Sequence, residues 1–292
     1  MTPGIRVTAG AIGSVIDLRT PRTGRVHSVF AHAVNLELGG DMWTLVAPGG
    51  PDAALTVRLS GAVLPGDLGL RVNDPVYVRF RHVRAGPAVI DARTAVRWMP
   101  QWYDADPCGL GERAAELEAA ARPVAWEGSW ALADSVAGAL ACGGRERPGG
   151  RGGLDAAVRR AVGRGPGLTP AGDDVLAGIL AVLTAPPVAA AREPAAAGRD
   201  PVAARLRAAL APALPATTEI SRALLSQASQ GHVSRPVWEL ARSVLSGGDQ
   251  AGASARARAG VLATGATSGG DTCAGLVAAC RLLSRSLEGI NA

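Results

Sequence analysis

The residues best suited to chemistry stand in two glycine-rich stretches. The first, Gly163 to Gly178, reads GRGPGLTPAGDDVLAG. Its glycines and prolines run into an apolar segment that predicts a helix from near Asp173. A helix start leaves backbone amides unpaired and carries the positive end of the dipole. Glycines let an anion come close to such a backbone. Gly165, Gly167, Thr169, Gly172 and Asp173 are therefore candidate anion-binding residues. The plainer reading is an ordinary helix start capped by Thr169 or Asp173. One cap needs only one polar residue, and this stretch offers Thr, Gly, Asp and Asp together.

The second stretch begins at Gly265 and reads GATSGGDTCAG. A spacing of 97 residues relates Gly172 to Gly269, Asp174 to Asp271, Ala177 to Ala274 and Gly178 to Gly275. This reads as one loop-to-helix element used twice. Two such starts sharing a pocket would each bring amides, a hydroxyl and a carboxylate. Thr267, Ser268 and Gly269 thus join the anion-binding candidates, and Asp174 and Asp271 are the candidate catalytic pair. Thr169–Asp174 and Ser268–Asp271 are expected to lie close together.

Just inside a helix start the dipole favours a carboxylate, so both Asp174 and Asp271 are expected to be ionised at neutral pH. An ionised Asp repels bound phosphate unless a cation intervenes or the Asp binds a local donor. Two readings follow. The pair holds Mg²⁺, which prefers carboxylate and phosphate oxygens, or each Asp caps its own helix and aims neighbouring Thr and Gly amides at the ligand. With no other clustered carboxylates, the second is preferred, and no other cofactor is indicated. Between the two stretches, Thr217-Thr218-Glu219-Ile220-Ser221 opens a further helix. It is either an N-cap or a source of hydroxyl donors, Thr217, Thr218 and Ser221, to the same site.

Other chemistries are poorly supported. All thirty basic residues are Arg, which removes Schiff-base lysines, a P-loop ending in Gly-Lys-Ser/Thr and a kinase-type lysine. His27, His32, His82 and His232 have no metal-ligand spacing. There is no GxSxG elbow, and Gly163-x-Gly165 follows helical rather than strand sequence, unlike a dinucleotide fingerprint.

Elements that must position these residues fill 292 positions, 48% apolar and 19% charged, enough for a soluble globular chain of about two domains. Residues 1–100 hold 11 Arg against 7 acids and residues 101–292 hold 19 against 18, so the net charge of +5 is spread thinly. No nucleic-acid partner is expected. No signal peptide or membrane span is read, and a cytoplasmic protein with reduced thiols is expected. Cys273 and Cys280 fall on one helix, where seven residues rise about 10.5 Å, too far for a disulfide.

Arg25–Leu38, Asp41–Ala47 beyond Gly39-Gly40, Ala54–Leu59, Val76–Phe80 and Ala88–Ala92 read as strands. From Leu110 the period is helical, as in Arg235–Ser246. Gly143–Gly153 and Ala185–Pro201 read as surface connections. The expected class is α+β: an N-terminal β-rich barrel or sandwich over residues 1–100, then an all-α domain over residues 101–292 carrying both Gly-Asp motifs.

GPGLTPAGDDVLAG, TSGGDTCAG, the TTEIS helix start between them and the N-terminal VHSVFAHAVNLEL together resemble the AllH-type subunit of oxamate carbamoyltransferase, a family long known only as an uncharacterised bacterial domain. The resemblance spans about residues 25–285; Gly270 and Cys273 stand where Ala and Leu are expected. It implies a role in allantoin, hence purine, nitrogen catabolism: oxalurate plus phosphate giving oxamate plus carbamoyl phosphate. It also implies a hetero-oligomer with co-encoded carbamoyltransferase subunits, one resembling acyl-CoA-ligase-type proteins. All four reactants are anions, and amides at helix starts can hold phosphate and a developing oxyanion. The Ser-Thr-Arg-Thr loop of aspartate and ornithine carbamoyltransferases is absent. The chain thus reads as a transferase subunit inactive alone, or as a non-catalytic subunit binding a small carboxylate or phosphate ester. A stand-alone hydrolase is less favoured, because no nucleophile–base pair is readable.

Overall fold

Alternating inward and outward side chains build the first unit, which ends at Pro100; the second begins at Gln101. The computed structural model describes residues 5–102, 105–106, 108–142, 153–185, 201–247 and 252–288. Strands are β1 (Ile5–Ile12), β2 (Arg22–Val29), β3 (Ala33–Leu38), β4 (Asp41–Val46), β5 (Thr56–Leu59), β6 (Pro75–Arg79), β7 (His82–Ala85), β8 (Ala88–Asp91) and β9 (Val96–Arg97). They follow the order β5-β4-β3-β2-β6-β7-β8-β1, and a further β1–β5 pairing closes the sheet. This eight-stranded barrel, with β9 added along β1, decides between barrel and sandwich.

Strand β1 makes the closure. Ala9 to Ile12 pair antiparallel with β5, while Ile5 to Thr8 run parallel to Ala88–Asp91. Val26, Leu36, Leu45, Val57, Val76, Val83 and Ile90 are fully buried inside, each contributing roughly 1.5–3 kcal/mol. Gly39 and Gly40 both take positive φ at the β3–β4 turn, as a tight hairpin requires.

The run Arg25–Leu38 is split: the chain reverses between Phe30 and His32, where Phe30 N–H donates to Ala33 O. His27 and His32 therefore do not share a strand. Strands β1, β7 and β9 are not among those read from the sequence. In β7 only Val83 and Ala85 face inward, too short an alternation to stand out.

The second unit is helical, with nine α-helices among the described residues: α1 (Leu110–Ala121), α2 (Ser129–Ala141), α3 (Leu154–Ala161), α4 (Ala171–Leu183), α5 (Pro201–Leu210), α6 (Glu219–Ala228), α7 (Arg235–Ser246), α8 (Ala253–Leu262) and α9 (Ser268–Glu288). Helix α4 is apolar nearly all round, which requires burial on every side; Val175, Leu176, Ile179, Leu180, Val182 and Leu183 have no exposure. It packs along α9, whose Cys273, Ala274, Leu276, Val277 and Cys280 are equally enclosed. All four cysteines are free. Among the described residues no helix is long and apolar enough to cross a membrane. The sequence-read connection Gly143–Gly153 lies, apart from Gly153, outside the described residues, as does most of Ala185–Pro201.

Candidate functional site

Small residues bring α4 and α9 together. A side chain on Gly178 would overlap the Thr272 carbonyl, and one on Gly275 would overlap the Val175 carbonyl. These contacts repeat at the same 97-residue spacing, so the echo is a spatial relation as well as a sequence one. The two helices consequently start side by side: Thr169 Oγ lies 3.3 Å from Ser268 Oγ. The Thr169–Asp174 and Ser268–Asp271 segments meet, as expected.

Three carboxyls surround this junction. Asp173 is 2% exposed; it accepts from Gly163 N–H at 2.8 Å and from the Thr217 hydroxyl. Burial raises its pKa, and hydrogen bonding by Thr217, Gly163 and Ser221 opposes the rise. Ser221 Oγ lies against this carboxyl but lacks the geometry of a full hydrogen bond. Asp271 is 0% exposed; its Oδ1 accepts from Trp126 N–H at 2.8 Å and Ser129 Oγ–H at 2.7 Å, and its Oδ2 has no hydrogen-bond partner.

Asp174 alone of the three keeps an opening to solvent. Thr169 Oγ–H donates to its Oδ2 at 3.2 Å. Burial pushes its pKa up to about 7; the Ser268 and Thr169 hydroxyls hold it down, while the Asp271 and Asp173 carboxyls push it further up. This corrects the expectation of a carboxylate fully ionised at neutral pH. The dipole at a helix start is worth about 0.3–1 kcal/mol at exposed sites, less than the cost of burying an ionised carboxyl.

The capping expectation also needs correction. Neither Asp174 nor Asp271 caps its own helix: the residue before α4 is Pro170, with no side-chain cap, and Asp271 reaches across to the start of α2. Gly172 and Gly269 have their amides committed, to Arg164 O and Thr264 O, and a side chain on either would strike the backbone of the preceding helix, at Ala161 and Val261. The Asp173 and Asp174 amides donate to Pro170 O.

Gly165 and Gly167 take φ of +95° and +108° in an exposed loop, and a side chain on Gly165 would meet Ala171 and the Trp126 ring. Thr218 is the N-cap of α6, accepting from Ser221 N–H at 3.1 Å while donating to Leu168 O. Thr267 gives its carbonyl to Asp271 N–H.

The start of α2 was missed in the sequence. It shows as a second echo, 92 residues apart: Glu127-Gly128-Ser129-Trp130-Ala131-Leu132 against Glu219-Ile220-Ser221-Arg222-Ala223-Leu224. Each serine lies beneath a carboxyl, Ser129 under Asp271 and Ser221 beside Asp173. The starts of α2, α4, α6 and α9 are thus linked into one cluster. As for a magnesium ion between Asp174 and Asp271, no three His, Cys, Asp or Glu side chains among the described residues form a set that could hold a metal. Only Asp174 of that pair is open to solvent.

Residues 161–280 match the family described as oxamate carbamoyltransferase subunit AllH, and residues 8–97 match the AllH family N-terminal domain. No curated protein and no solved structure matches the chain.

Proposed function

Because the chain belongs to the AllH family of oxamate carbamoyltransferase subunits, we propose that it supplies a small-anion site, at the joined starts of α4 and α9, to a carbamoyl-transferring assembly. The assembly works in the cytoplasm with co-encoded subunits, in allantoin nitrogen breakdown, and interconverts oxalurate plus phosphate with oxamate plus carbamoyl phosphate. The observation that carries this reading is Asp174: half-buried, between two hydroxyls, with a pKa near neutrality.

The anion is held by the exposed Gly165–Gly167 loop and the Thr169 and Ser268 hydroxyls. In its neutral form Asp174 does not repel that anion. Phosphate oxygen attacks the ureido carbonyl of oxalurate, the carbon–nitrogen bond breaks, and protonated Asp174 gives its proton to the departing oxamate nitrogen. In reverse, ionised Asp174 takes the proton from the amide nitrogen. A group titrating near 7 suits both directions. Asp271 has no exposure and serves as a positioning residue, holding α2 against α9. Thr217, Thr218 and Ser221 shape the loop through Asp173 and Leu168.

The test is carbamoyl phosphate formation by the full chain with its co-encoded subunits. Asp174→Asn should lower kcat about 100-fold or more and leave oxalurate affinity little changed. Unchanged kcat with altered affinity would instead make this a non-catalytic binding subunit.

A further inference from the structure

The barrel has a cavity of about 480 Å³ that the carbamoyl-transfer reading does not use, a size typical of small-molecule sites. The β1–β2 loop forms one wall, and the β6–β7 turn and β9 bring Arg81 and Arg97 to the other. The Arg97 guanidinium donates to Gly13 O, Ser14 O and Ile16 O at 2.8–2.9 Å, and Arg81 donates to Ala92 O at 3.2 and 3.3 Å. Carbonyls fix these groups in place without neutralising them. The one carboxylate on the lining, Asp17, is turned back into its own loop, accepting from Arg19 N–H and the Thr20 hydroxyl. Ser14 Oγ is buried there with no hydrogen-bond partner, an uncommon state for a hydroxyl.

The backbone points the same way. Phe80 and Arg81 form a two-residue hairpin turn with φ of +50° and +62°. Asn-Gly would take this conformation readily, whereas Phe and Arg are strained in it. The turn is held by Arg81 N–H to Leu18 O and Ala92 N–H to Arg81 O. Strain kept by surrounding contacts is a mark of ligand sites, and here it delivers a guanidinium to the cavity.

We propose that this cavity binds a small organic oxyanion. Its carboxylate or phosphate head sits between Arg81 and Arg97, within reach of Ser14, and its apolar body rests on the exposed Val15 side chain. Guanidinium forks suit either head group.

Calorimetry of the full chain with benzoate and with phenyl phosphate tests this and separates the two heads. We expect saturable one-site binding of at least one probe. Arg81→Gly, which also relieves the strained turn, should weaken it tenfold or more while melting within a few degrees of wild type. Ser14→Ala should weaken it severalfold, and Thr169→Ala, at the start of α4, should leave it unchanged. Binding of neither probe, or binding that survives Arg81→Gly, overturns the proposal. So does binding lost in Thr169→Ala, which removes a hydroxyl from the helix-start site and would place the anion there instead.

Discussion

Gly178 and Gly275 each occupy the space that the other's helix leaves open: the first meets the Thr272 carbonyl and the Leu276 amide, the second the Val175 carbonyl and the Ile179 amide. The partners differ by the same 97 residues as the glycines. Two helices of one chain therefore cross at a local two-fold axis, and their starts are brought together by backbone contact.

A methyl group at either position has nowhere to go, because the obstructing atoms are main chain. Gly178→Ala and Gly275→Ala should each destabilise the protein by roughly 3 kcal/mol, measured by urea denaturation. An exposed control, Gly138→Ala, whose added carbon would meet nothing nearby, should change stability by less than about 1 kcal/mol and toward greater stability.

Asp174 should make stability depend on pH. Its pKa is about 7 in the folded chain and about 3.9 when unfolded. Between these values the folded state binds more protons, so its stability falls as pH rises through the window and levels off above 7. Asp174→Asn removes the effect. The variant should gain on wild type by roughly 2–3 kcal/mol between about pH 5 and pH 8, read from paired urea titrations. An unchanging difference would refute the raised pKa.

Removing Asp271 leaves Trp126 N–H and Ser129 Oγ without their shared acceptor. Asp271→Ala should cost roughly 3 kcal/mol and Ser129→Ala about 1.5 kcal/mol. Hydrogen exchange at the first turn of α2 should rise in both, ahead of exchange in the middle of α4.

Thiol reactivity should divide by burial. Burial pushes Cys273 and Cys280 up to about 12, so both should resist iodoacetamide in the folded protein. Cys108 is exposed and Cys142 partly so; both should be alkylated, as mass spectrometry of digested protein would show.

What the sequence discloses depends on how local the determining physics is. The Gly39-Gly40 turn and helix Arg235–Ser246 carry their own signals, positive φ and a 3.6-residue period, and both are read correctly. Convergence of the two Gly-Asp motifs is legible because the repeat is written in the residue types. The state of Asp174 is not: its charge is set chiefly by enclosure, which its sequence neighbours do not reveal, and partly by Asp271, 97 residues away. The amides of Gly172 and Gly269 look available in sequence because their acceptors, Arg164 O and Thr264 O, belong to turns that composition alone does not specify. The start of α2 escapes notice because Ser129 gains its role only from Asp271, 142 residues away.

The manner in which the barrel closes has a kinetic corollary. Ile5 to Thr8 lie beside Ala88 to Asp91, so β1 has one edge unoccupied until nearly the whole unit has left the ribosome. At about 5–20 residues per second that interval is on the order of ten seconds. Such distant pairing also slows the final closure itself. During synthesis β1 is thus an open strand edge, the kind of segment that pairs with other chains unless it is covered.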